Sequence, residues 1–396
     1  MRLLFAHDHR FHRGPSGEMY TTGCLPASTW SRYLEHFDEV HVIARDEGLA
    51  SDVARLGRAD FPSVSFEFLP SLSSLRGLLF RSREMEKQMR SAIQSADAVV
   101  ARLPSEIGLL AARHAQELGK PYAIEVVGCA WDGVFNYGTL AGRLYAPIAY
   151  WRARQAIRKA PMALYVPSRW LQSRYPTRGY GAAVSDVVLV PLSPQQEAKR
   201  ERRLSALARG EKPILGTIAS LRMRSKGIQT ALEALSMLRK SGLDFHYRLL
   251  GAGPVEPWTD AAERLGIADL VHFDGTRSAG RGVSEWLDGI DIYLQPSFQE
   301  GLPRSTIEAM SRGCACIGST CGGLPELLPP DRLHRPGDAA GLAGRIRALA
   351  TDPGAVSEAS RRDLDHAKDF DPALLKTRQS NFFARLRAWA ADKRSS

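Results

Sequence analysis

The chain has 396 residues, with 53 lysines and arginines against 43 aspartates and glutamates, which gives a formal net charge of +10. Hydrophobic residues make up 44% of it and charged residues 24%, a globular composition that excludes a disordered, collagen-like or coiled-coil protein. The length predicts two or three domains, each large enough to bury its own core.

Short apolar runs alternate with longer segments of helical period through the first half of the chain. Apolar residues recur with this period over 82–95 and 105–118, which predicts two helices there. The predicted strands are 2–7, 40–44, 64–69, 98–101, 122–127 and 163–166. This alternation is typical of a parallel sheet covered by helices.

The alternation stops over 191–213, where three prolines accompany a run of charged residues. Such a composition predicts an interdomain connection. The second alternation comprises strands at 214–219, 247–250, 271–273, 292–295 and 315–318 and helices at 228–239, 258–265 and 305–312. Three more helices are predicted, at 339–350, 356–366 and 372–391. Two parallel sheets in tandem leave a cleft, and their ligands bind beyond the carboxyl ends of the strands.

The N-terminal sequence and the cysteines both favour a cytoplasmic protein. The apolar residues 3–6 are followed at once by histidine and arginine, so we expect neither a signal peptide nor a membrane span of roughly 18 apolar residues. The cysteines lack the spacing of a disulfide framework or a zinc site. They are Cys24, Cys129, Cys314, Cys316 and Cys321. The pair at 314 and 316 predicts reduced core residues on a strand.

The most informative segment is 296–310, which reads PSFQEGLPRSTIEAM. A predicted strand ends there in a loop, and the loop enters a helix with Pro303 where a first-turn proline is tolerated. Gly301 lets the backbone approach a ligand, and the free amides of the helix start can bind an anion such as a diphosphate. Glu300 and Glu308 can each accept two vicinal hydroxyls of a sugar or a ribose. The alternative is that Glu300 caps the helix and Glu308 faces solvent.

On these residues the chain resembles the retaining glycosyltransferases of GT-B type that form family 4 and include many bacterial polysaccharide and lipopolysaccharide sugar transferases. Glu300 and Glu308 match that family's pair of glutamates separated by seven residues, and 322–326 (GGLPE) matches its second glycine-rich turn. Residues 220–227 (SLRMRSKG) resemble its phosphate-binding loop, and Gly253 follows the next strand. The resemblance covers nearly all of the second predicted domain.

The resemblance implies an α/β fold of two Rossmann-like, parallel-sheet domains that face each other across a cleft. The first domain would cover 1–192 on the acceptor side, with a C-terminal helix over about 371–396 packing back on it. A linker over 193–212 would join it to a nucleotide-sugar-binding domain over 213–370.

The resemblance also implies roles for individual residues. Glu300 would bind hydroxyls of the donor sugar, Glu308 the nucleotide ribose, and Lys226 the diphosphate. Ser220 stands where many members have an arginine, so either Arg222 or Arg224 would complete the phosphate site. The expected catalytic residues are Glu300, Lys226 and Arg222. The expected donor-binding residues are Glu308, Gly301, Leu302, Pro303, Ser220, Arg224, Gly253, Gly323 and Gly17.

The first domain matches the family less closely. Histidines follow the first strand, and Gly17 lies in the next loop, which in the family approaches the donor phosphates. Val127 stands where many members have a histidine before a glycine. The polar candidates on the acceptor side are therefore Asp132, Glu125 and His9. A His-x-His pair at 7 and 9 is also compatible with a metal site, but no third ligand has suitable spacing.

We therefore expect a retaining hexosyltransferase that moves a sugar from a UDP- or GDP-linked donor to a hydroxyl of a glycan or a polyprenyl-diphosphate-linked acceptor in bacterial surface polysaccharide synthesis. Its main task is to stabilise charge on the departing diphosphate. We expect no cofactor and no metal, because no Asp-x-Asp pair ends a strand and Asp363-x-Asp365 is predicted on a helix surface. The alternatives are a sugar-nucleotide epimerase or hydrolase and a nucleic-acid-binding protein, for which no recognition motif is present.

The net charge is concentrated in the first domain. Residues 133–185 contain no acidic residue and eight basic ones, so this window supplies +8 of the +10. The basic residues are Arg143, Arg152, Arg154, Arg158, Lys159, Arg169, Arg174 and Arg178. At a helical period Arg143, Arg154 and Arg158 share one side, close to Tyr150 and Trp151. The basic window 143–178 is therefore predicted to contact anionic lipid on the inner face of the cytoplasmic membrane, the alternative being an ordinary solvated face.

Overall fold

The computed structural model describes residues 1–22, 25–50, 52–69, 75–135, 139–166 and 169–395. The chain divides into two compact units, one formed by Met1–Val184 with Lys376–Ser396 and the other by Ser185–Leu375. Cys24 lies outside the described residues.

The first unit is built on a nine-stranded sheet. Its strands are β1 (Arg2–Arg13), β2 (Met19–Thr21), β3 (Glu39–Leu49), β4 (Gly57–Arg58), β5 (Val64–Leu69), β6 (Ala98–Leu103), β7 (Tyr122–Val126), β8 (Met162–Tyr165) and β9 (Tyr180–Ala183). Its helices are α1 (Ser31–Leu34), α2 (Leu75–Ser95), α3 (Glu106–Glu117), α4 (Ala130–Phe135), α5 (Leu140–Lys159) and α6 (Trp170–Arg174). The parallel order is β5-β3-β1-β6-β7-β8-β9, and β2 pairs antiparallel with both β1 and β4.

The central strand β1 extends further than its apolar run. Leu3, Leu4, Phe5 and Ala6 are fully buried between β3 and β6, as expected for a strand covered on both faces. The strand then continues through polar residues to Arg13 and turns back into β2, with Gly14 N donating to Glu18 O. The sequence predicted only 2–7, because hydrophobic patterning does not detect a polar hairpin.

The second unit is built on a six-stranded parallel sheet of order β12-β11-β10-β13-β14-β15. Its strands are β10 (Ile214–Ile218), β11 (His246–Leu250), β12 (Val271–Phe273), β13 (Ile292–Gln295), β14 (Ala315–Ser319) and β15 (Leu333–His334). Its helices are α7 (Pro194–Ala208), α8 (Ile228–Lys240), α9 (Glu256–Arg264), α10 (Arg281–Leu287), α11 (Arg304–Ser311), α12 (Leu324–Leu327), α13 (Ala339–Ala350) and α14 (Pro353–Ala367). The order reverses between β10 and β13, which is where such sheets bind ligands.

The segment 193–212, predicted as a linker, is instead mostly the helix α7 of the second unit. Ser193 and Gln196 form a capping box, and Pro194 occupies the first turn, where its missing N–H costs nothing. Arg200 is buried and donates to the carbonyl oxygens of Arg312, Ile290 and Leu287. The charge and prolines that indicated a connection therefore belong to a capped helix packed on the sheet.

Asp363 is also placed differently from its prediction as a surface residue. It is fully buried on α14, where it accepts from Cys316 N at 2.8 Å and pairs with Arg332 and Arg362. Burial raises the pKa of its carboxyl. Asp363 therefore ties a helix to strand β14. Cys314 and Cys316 are buried free thiols, as predicted.

The last helix, α15 (Pro372–Ser395), passes from the second unit into the first. Phe382 and Phe383 are fully buried, and the Phe383 ring lies 4.9 Å from that of Tyr33. Ser380 Oγ lies 3.1 Å from His36 Nε2, and Lys376 pairs with Glu35. The C-terminal residues thus complete the core of the first unit.

Candidate active site

The candidate site lies at the carboxyl ends of β10 and β13, on either side of the point where the strand order reverses. Lys226 follows β10 and Glu300 follows β13. Lys226 Nζ donates to Glu300 Oε1 at 2.7 Å, and both side chains are largely buried. The structure therefore brings together two of the residues predicted to be catalytic.

Glu300 is held by its own loop as well as by the lysine. Its Oε1 accepts from Ser297 Oγ at 2.7 Å and from Gln295 Nε2 at 2.8 Å. Gln295 is fixed in turn, because its Oε1 accepts from Tyr293 OH at 2.8 Å and from Ser305 Oγ at 3.1 Å. No described residue donates to Glu300 Oε2. One carboxylate oxygen is thus saturated by the protein and the other is available to a ligand.

Gln295, Ser297 and Tyr293 were not predicted as site residues. All three are buried at or just beyond the end of β13. The sequence signal for these residues is their polarity at the end of a predicted buried strand, because a buried parallel strand is otherwise apolar. A glutamine and a serine flanking Pro296 at the carboxyl end of such a strand indicate a hydrogen-bonded network.

Two glycines allow the loops to approach closely. Gly227 has φ +75°, and a Cβ there would lie 1.9 Å from Pro296 O. Gly322 has φ +58°, and a Cβ there would lie 2.1 Å from Glu300 O. Any side chain at either position would push the loop of Glu300 out of place, so both glycines are required by packing as well as by backbone conformation.

Glu308 lies on α11, the helix that follows the loop. Burial raises the pKa of its carboxyl, and the charge of Arg304 partly opposes this effect. No described side chain donates a hydrogen bond to it. Like Glu300 Oε2, its carboxylate is available to hydroxyl donors.

The start of α11 is formed as the sequence indicated, with one difference. Pro303 occupies the N-cap position rather than the first turn, and the helix begins at Arg304. Leu302 is buried. Gly323 N donates to Gly301 O at 2.6 Å, and a Cβ on Gly323 would lie 2.8 Å from the same oxygen. The glycine-rich turn at 322–323 therefore supports the loop that carries Glu300.

The two arginines of the phosphate loop are exposed. Arg222 and Arg224 line a pocket of about 490 Å³ that Trp258 also lines, and neither side chain pairs with a described carboxylate. Ser220 accepts from Met223 N through its carbonyl oxygen. Gly253 packs against this turn, because a Cβ there would lie 2.9 Å from Arg222 N. The structure therefore does not bring Arg222 or Arg224 into contact with Glu300.

In the first unit Glu125 is corrected from an acceptor-side candidate to a buried structural group. Its Oε1 accepts from Tyr33 OH at 2.7 Å and its Oε2 from Arg102 Nη1 at 2.8 Å. The side chain is 3% exposed. Because the side chain is buried and each oxygen already accepts from the protein, the carboxylate is not presented to a substrate.

The other candidates of this unit lie at separate places within it. His9 Nε2 lies 2.7 Å from Thr21 Oγ1, and burial, with a contribution from Arg102, lowers the pKa of its imidazole. Asp132 lies on α4, 3.8 Å from Arg174. Gly17 is exposed in the turn between β1 and β2, with φ +93°. Gly17 thus lies in the hairpin turn that follows the extended end of β1.

The basic window differs from its prediction at Tyr150. Arg143, Arg154 and Arg158 are exposed on α5. Tyr150 instead turns inward, where its OH donates to Arg174 O and its ring lies 5.2 Å from that of Tyr175. Tyr150 therefore lies nearer the buried side of α5 than its closeness in sequence to the arginines suggested.

Two features are absent from the residues that the structure describes. No group of three or more His, Cys, Asp or Glu side chains among them is arranged to hold a metal ion. None of their helices is long and apolar enough to cross a membrane.

Comparison with known proteins gives this geometry a family context. Residues 212–352 match the family described as "Glycosyl transferases group 1". Protein CapJ of Staphylococcus aureus is 27% identical over 87% of this chain and 85% of its own length. The chain is a homologue of the group 1 glycosyltransferases.

Two other similarities extend this result. An N,N'-diacetylbacillosaminyl-diphospho-undecaprenol alpha-1,3-N-acetylgalactosaminyltransferase of Campylobacter jejuni is 27% identical over 48% of this chain and 50% of its own. The structure of HepE of Anabaena in complex with UDP and glucose matches all of both chains with a TM-score of 0.62 and 16% identity. The homologue has the GT-B fold of two Rossmann-like domains, which confirms the predicted fold class.

Proposed function

We propose that this group 1 glycosyltransferase homologue is a retaining, metal-independent hexosyltransferase of family 4. It transfers a sugar from a UDP- or GDP-linked donor to a hydroxyl of a glycan or a lipid-linked acceptor. The observation that carries the proposal is the Lys226–Glu300 pair at the reversal of strand order, where Glu300 keeps one oxygen available. A carboxylate fixed on one oxygen and open on the other is suited to bind sugar hydroxyls.

The proposed roles of the site residues are those that the family resemblance implies, and the positions of the residues support them. Glu300 Oε2 accepts from hydroxyls of the donor sugar, while Gln295 and Ser297 prevent the carboxylate from rotating. Lys226 and the amides at the start of α11 stabilise the charge of the departing diphosphate. Glu308 accepts from the ribose. The exposed side chain of Arg222 or Arg224 completes the phosphate site once its rotamer changes.

Bond making and breaking require no enzymic nucleophile. The bond from the anomeric carbon to the diphosphate oxygen breaks while the acceptor oxygen bonds to the same face of that carbon. The acceptor proton passes to an oxygen of the departing phosphate, and the configuration is retained. The resting charge of the site is supplied by Lys226 and backbone amides, so the proposal requires no metal.

The comparisons support the substrate classes. HepE was solved with UDP and glucose, which favours a nucleotide-sugar donor. The name of the Campylobacter relative describes a sugar on a diphospho-undecaprenol carrier as its acceptor, which favours a polyprenyl-diphosphate-linked acceptor in surface polysaccharide synthesis. The basic window 143–178 would hold the enzyme at the anionic inner face of the cytoplasmic membrane. On the acceptor side, Asp132 and His9 are the remaining polar candidates.

A panel of UDP- and GDP-sugars, screened by calorimetry and then assayed with a polyprenyl-diphosphate-linked sugar, tests the proposal. We expect one donor to bind and to yield a product whose anomeric configuration, read by NMR, is that of the donor. Turnover should survive thorough chelation. An inverted product, a requirement for added manganese or magnesium, or release of free sugar or an epimer without an acceptor would contradict it.

A further inference from the structure

The outward side of α5 carries a row of exposed apolar side chains. Leu140, Leu144, Ile148 and Trp151 are between 53 and 74% exposed. At 3.6 residues per turn they fall within about 80° of one another and extend over roughly 16 Å of helix. We call these four residues the apolar stripe. The opposite side of the same helix is buried through Ala146, Ala149, Ala153 and Ile157.

The stripe is flanked by cations without acidic partners. Arg143, Arg154, Arg158 and Lys159 are exposed on α5, and none of them forms an ion pair with a described residue. Two other arginines of the basic window are neutralised, since Arg152 pairs with Glu106 and Arg174 with Asp132. The charge that remains free is therefore concentrated beside the stripe.

These two features together identify the occupant of this surface. Exposed apolar patches mark interaction sites, and a helix that combines such a face with basic flanks lies in the plane of an anionic lipid interface. A stable protein interface uses roughly 20–30 residues from each partner, whereas the stripe offers four apolar side chains. The acid-free flanks complement lipid phosphates, and a tryptophan at the end of the stripe suits the headgroup level.

We propose that α5 is an in-plane membrane anchor that inserts the apolar stripe among the lipids, with its arginines at the phosphates. This deepens the proposed function, on which it rests for the lipid-linked acceptor. It differs from electrostatic adsorption alone, because insertion adds apolar burial that salt does not screen. Stable membrane anchoring takes two signals. Here α5 supplies both, the apolar stripe and the basic residues that flank it.

Neutral substitutions separate insertion from charge. The double variant Leu144→Gln with Ile148→Gln removes two stripe side chains and leaves the net charge unchanged. The matched control is Leu49→Gln, at the end of β3, where the leucine is 72% exposed and lies outside the basic window. Each is tested by co-sedimentation with vesicles of equimolar phosphatidylcholine and phosphatidylglycerol. Circular dichroism checks that helix content is unchanged.

We expect the unsubstituted protein and the Leu49 control to bind these vesicles alike, and the double variant to bind at least ~10-fold more weakly. The difference should persist in ~1 M salt, where the screening length is about 3 Å. Equal binding by the double variant, or no binding by the unsubstituted protein at low salt, would overturn the anchor. If the unsubstituted protein forms a dimer that the double substitution dissociates while vesicle binding stays unchanged, the anchor would be overturned. The stripe would then bind a second copy of this chain.

Trp151 provides a direct reading of insertion. Lipids brominated on their acyl chains should quench part of the tryptophan fluorescence of the unsubstituted protein, and Trp151→Phe should remove that quenched part. Identical quenching in both proteins would overturn insertion of the stripe. The two proposals fail separately: vesicle binding without sugar transfer contradicts the proposed function, and transfer to a soluble acceptor without vesicle binding contradicts the anchor.

Discussion

Each unit contains a buried carboxylate paired with a cation near the carboxyl end of a central strand. In the first unit Glu125 on β7 accepts from Arg102 on the neighbouring strand β6 at 2.8 Å. In the second unit Glu300, just beyond β13, accepts from Lys226 at 2.7 Å. Both carboxylates also accept from a hydroxyl, that of Tyr33 in one case and that of Ser297 in the other.

The two pairs differ in how the oxygens are used. Glu125 engages each oxygen with a different protein donor and is 3% exposed. Glu300 receives three donors on Oε1, receives none from described residues on Oε2, and is 9% exposed. A buried carboxylate that the protein holds on both oxygens is suited to stabilise the fold. A carboxylate with unused capacity at a ligand-binding edge can recognise a substrate.

Glu125→Gln should have the largest effect, and it should be on stability. The substitution removes the charge of Glu125 from its buried pair with Arg102, and breaking such a pair typically costs about 3 kcal/mol in the free energy of unfolding. Urea denaturation measures this loss. The matched control is Glu106→Gln, which breaks the exposed pair with Arg152 and should cost less than about 1 kcal/mol. A loss of unfolding free energy in Glu125→Gln no larger than the small loss expected for the control would show that the buried pair does not stabilise the fold.

Lys226→Met should have the largest effect on catalysis. It keeps a long side chain but removes the charge that we propose stabilises the departing diphosphate, so we expect kcat/KM to fall about 100-fold. The control is Lys240→Met at the exposed end of α8, for which steady-state kinetics should be unchanged. A Lys226 variant that keeps full kcat/KM would remove the lysine from the mechanism and leave only its pairing with Glu300.

Glu300→Gln compares the two pairs directly. The amide keeps the shape and the contacts of Oε1 but would weaken the proposed charge-assisted hydrogen bonds to the sugar hydroxyls, so turnover should fall at least ~10-fold. The loss in unfolding free energy should be smaller than for Glu125→Gln. If Glu300→Gln instead destabilised the protein as much and left turnover intact, the two carboxylates would serve the same structural role.

The second unit could be predicted well from the sequence, because its chemistry and its folding signals occupy the same short segments. Glu300 and Gly301 lie in the loop between β13 and α11, as local patterning predicted, and Pro303 differs only in being the N-cap rather than a first-turn residue. The glycines at 227 and 322 appear in the sequence as loop residues, although the carbonyl groups that exclude a Cβ become visible only in three dimensions.

The errors arose where the decisive contact is distant in sequence. Glu125 has Tyr33 as a partner 92 residues away. No local sequence pattern therefore distinguishes a carboxylate held on both oxygens from one with an open oxygen. Asp363 bonds to Cys316 across 47 residues, and its charged helical surroundings predicted a surface position. The helix α7 was not predicted because prolines and charged residues dominate 191–213. The signal for it is the capping pair of Ser193 and Gln196.

The smallest expected effect concerns Glu308, the second carboxylate with unused capacity. Burial raises the pKa of its carboxyl, and the ionised form is the stronger hydrogen-bond acceptor. Donor binding should therefore weaken as the pH falls through this raised pKa, beginning at a higher pH than for an ordinary glutamate near 4.3.

In Glu308→Gln, calorimetry with the donor should show affinity about 3-fold lower at neutral pH and without this pH dependence. Glu358→Gln, at an exposed position on α14, should keep both the affinity and the pH dependence. The stability effect has the opposite sign: because the folded state holds this proton more tightly than the unfolded chain, the contribution of Glu308 to stability declines as the pH rises from the ordinary value through the raised pKa. Glu308→Gln should therefore be at least as stable as the unsubstituted protein at neutral pH. A destabilised variant with unchanged donor affinity would place Glu308 with Glu125, among the structural carboxylates.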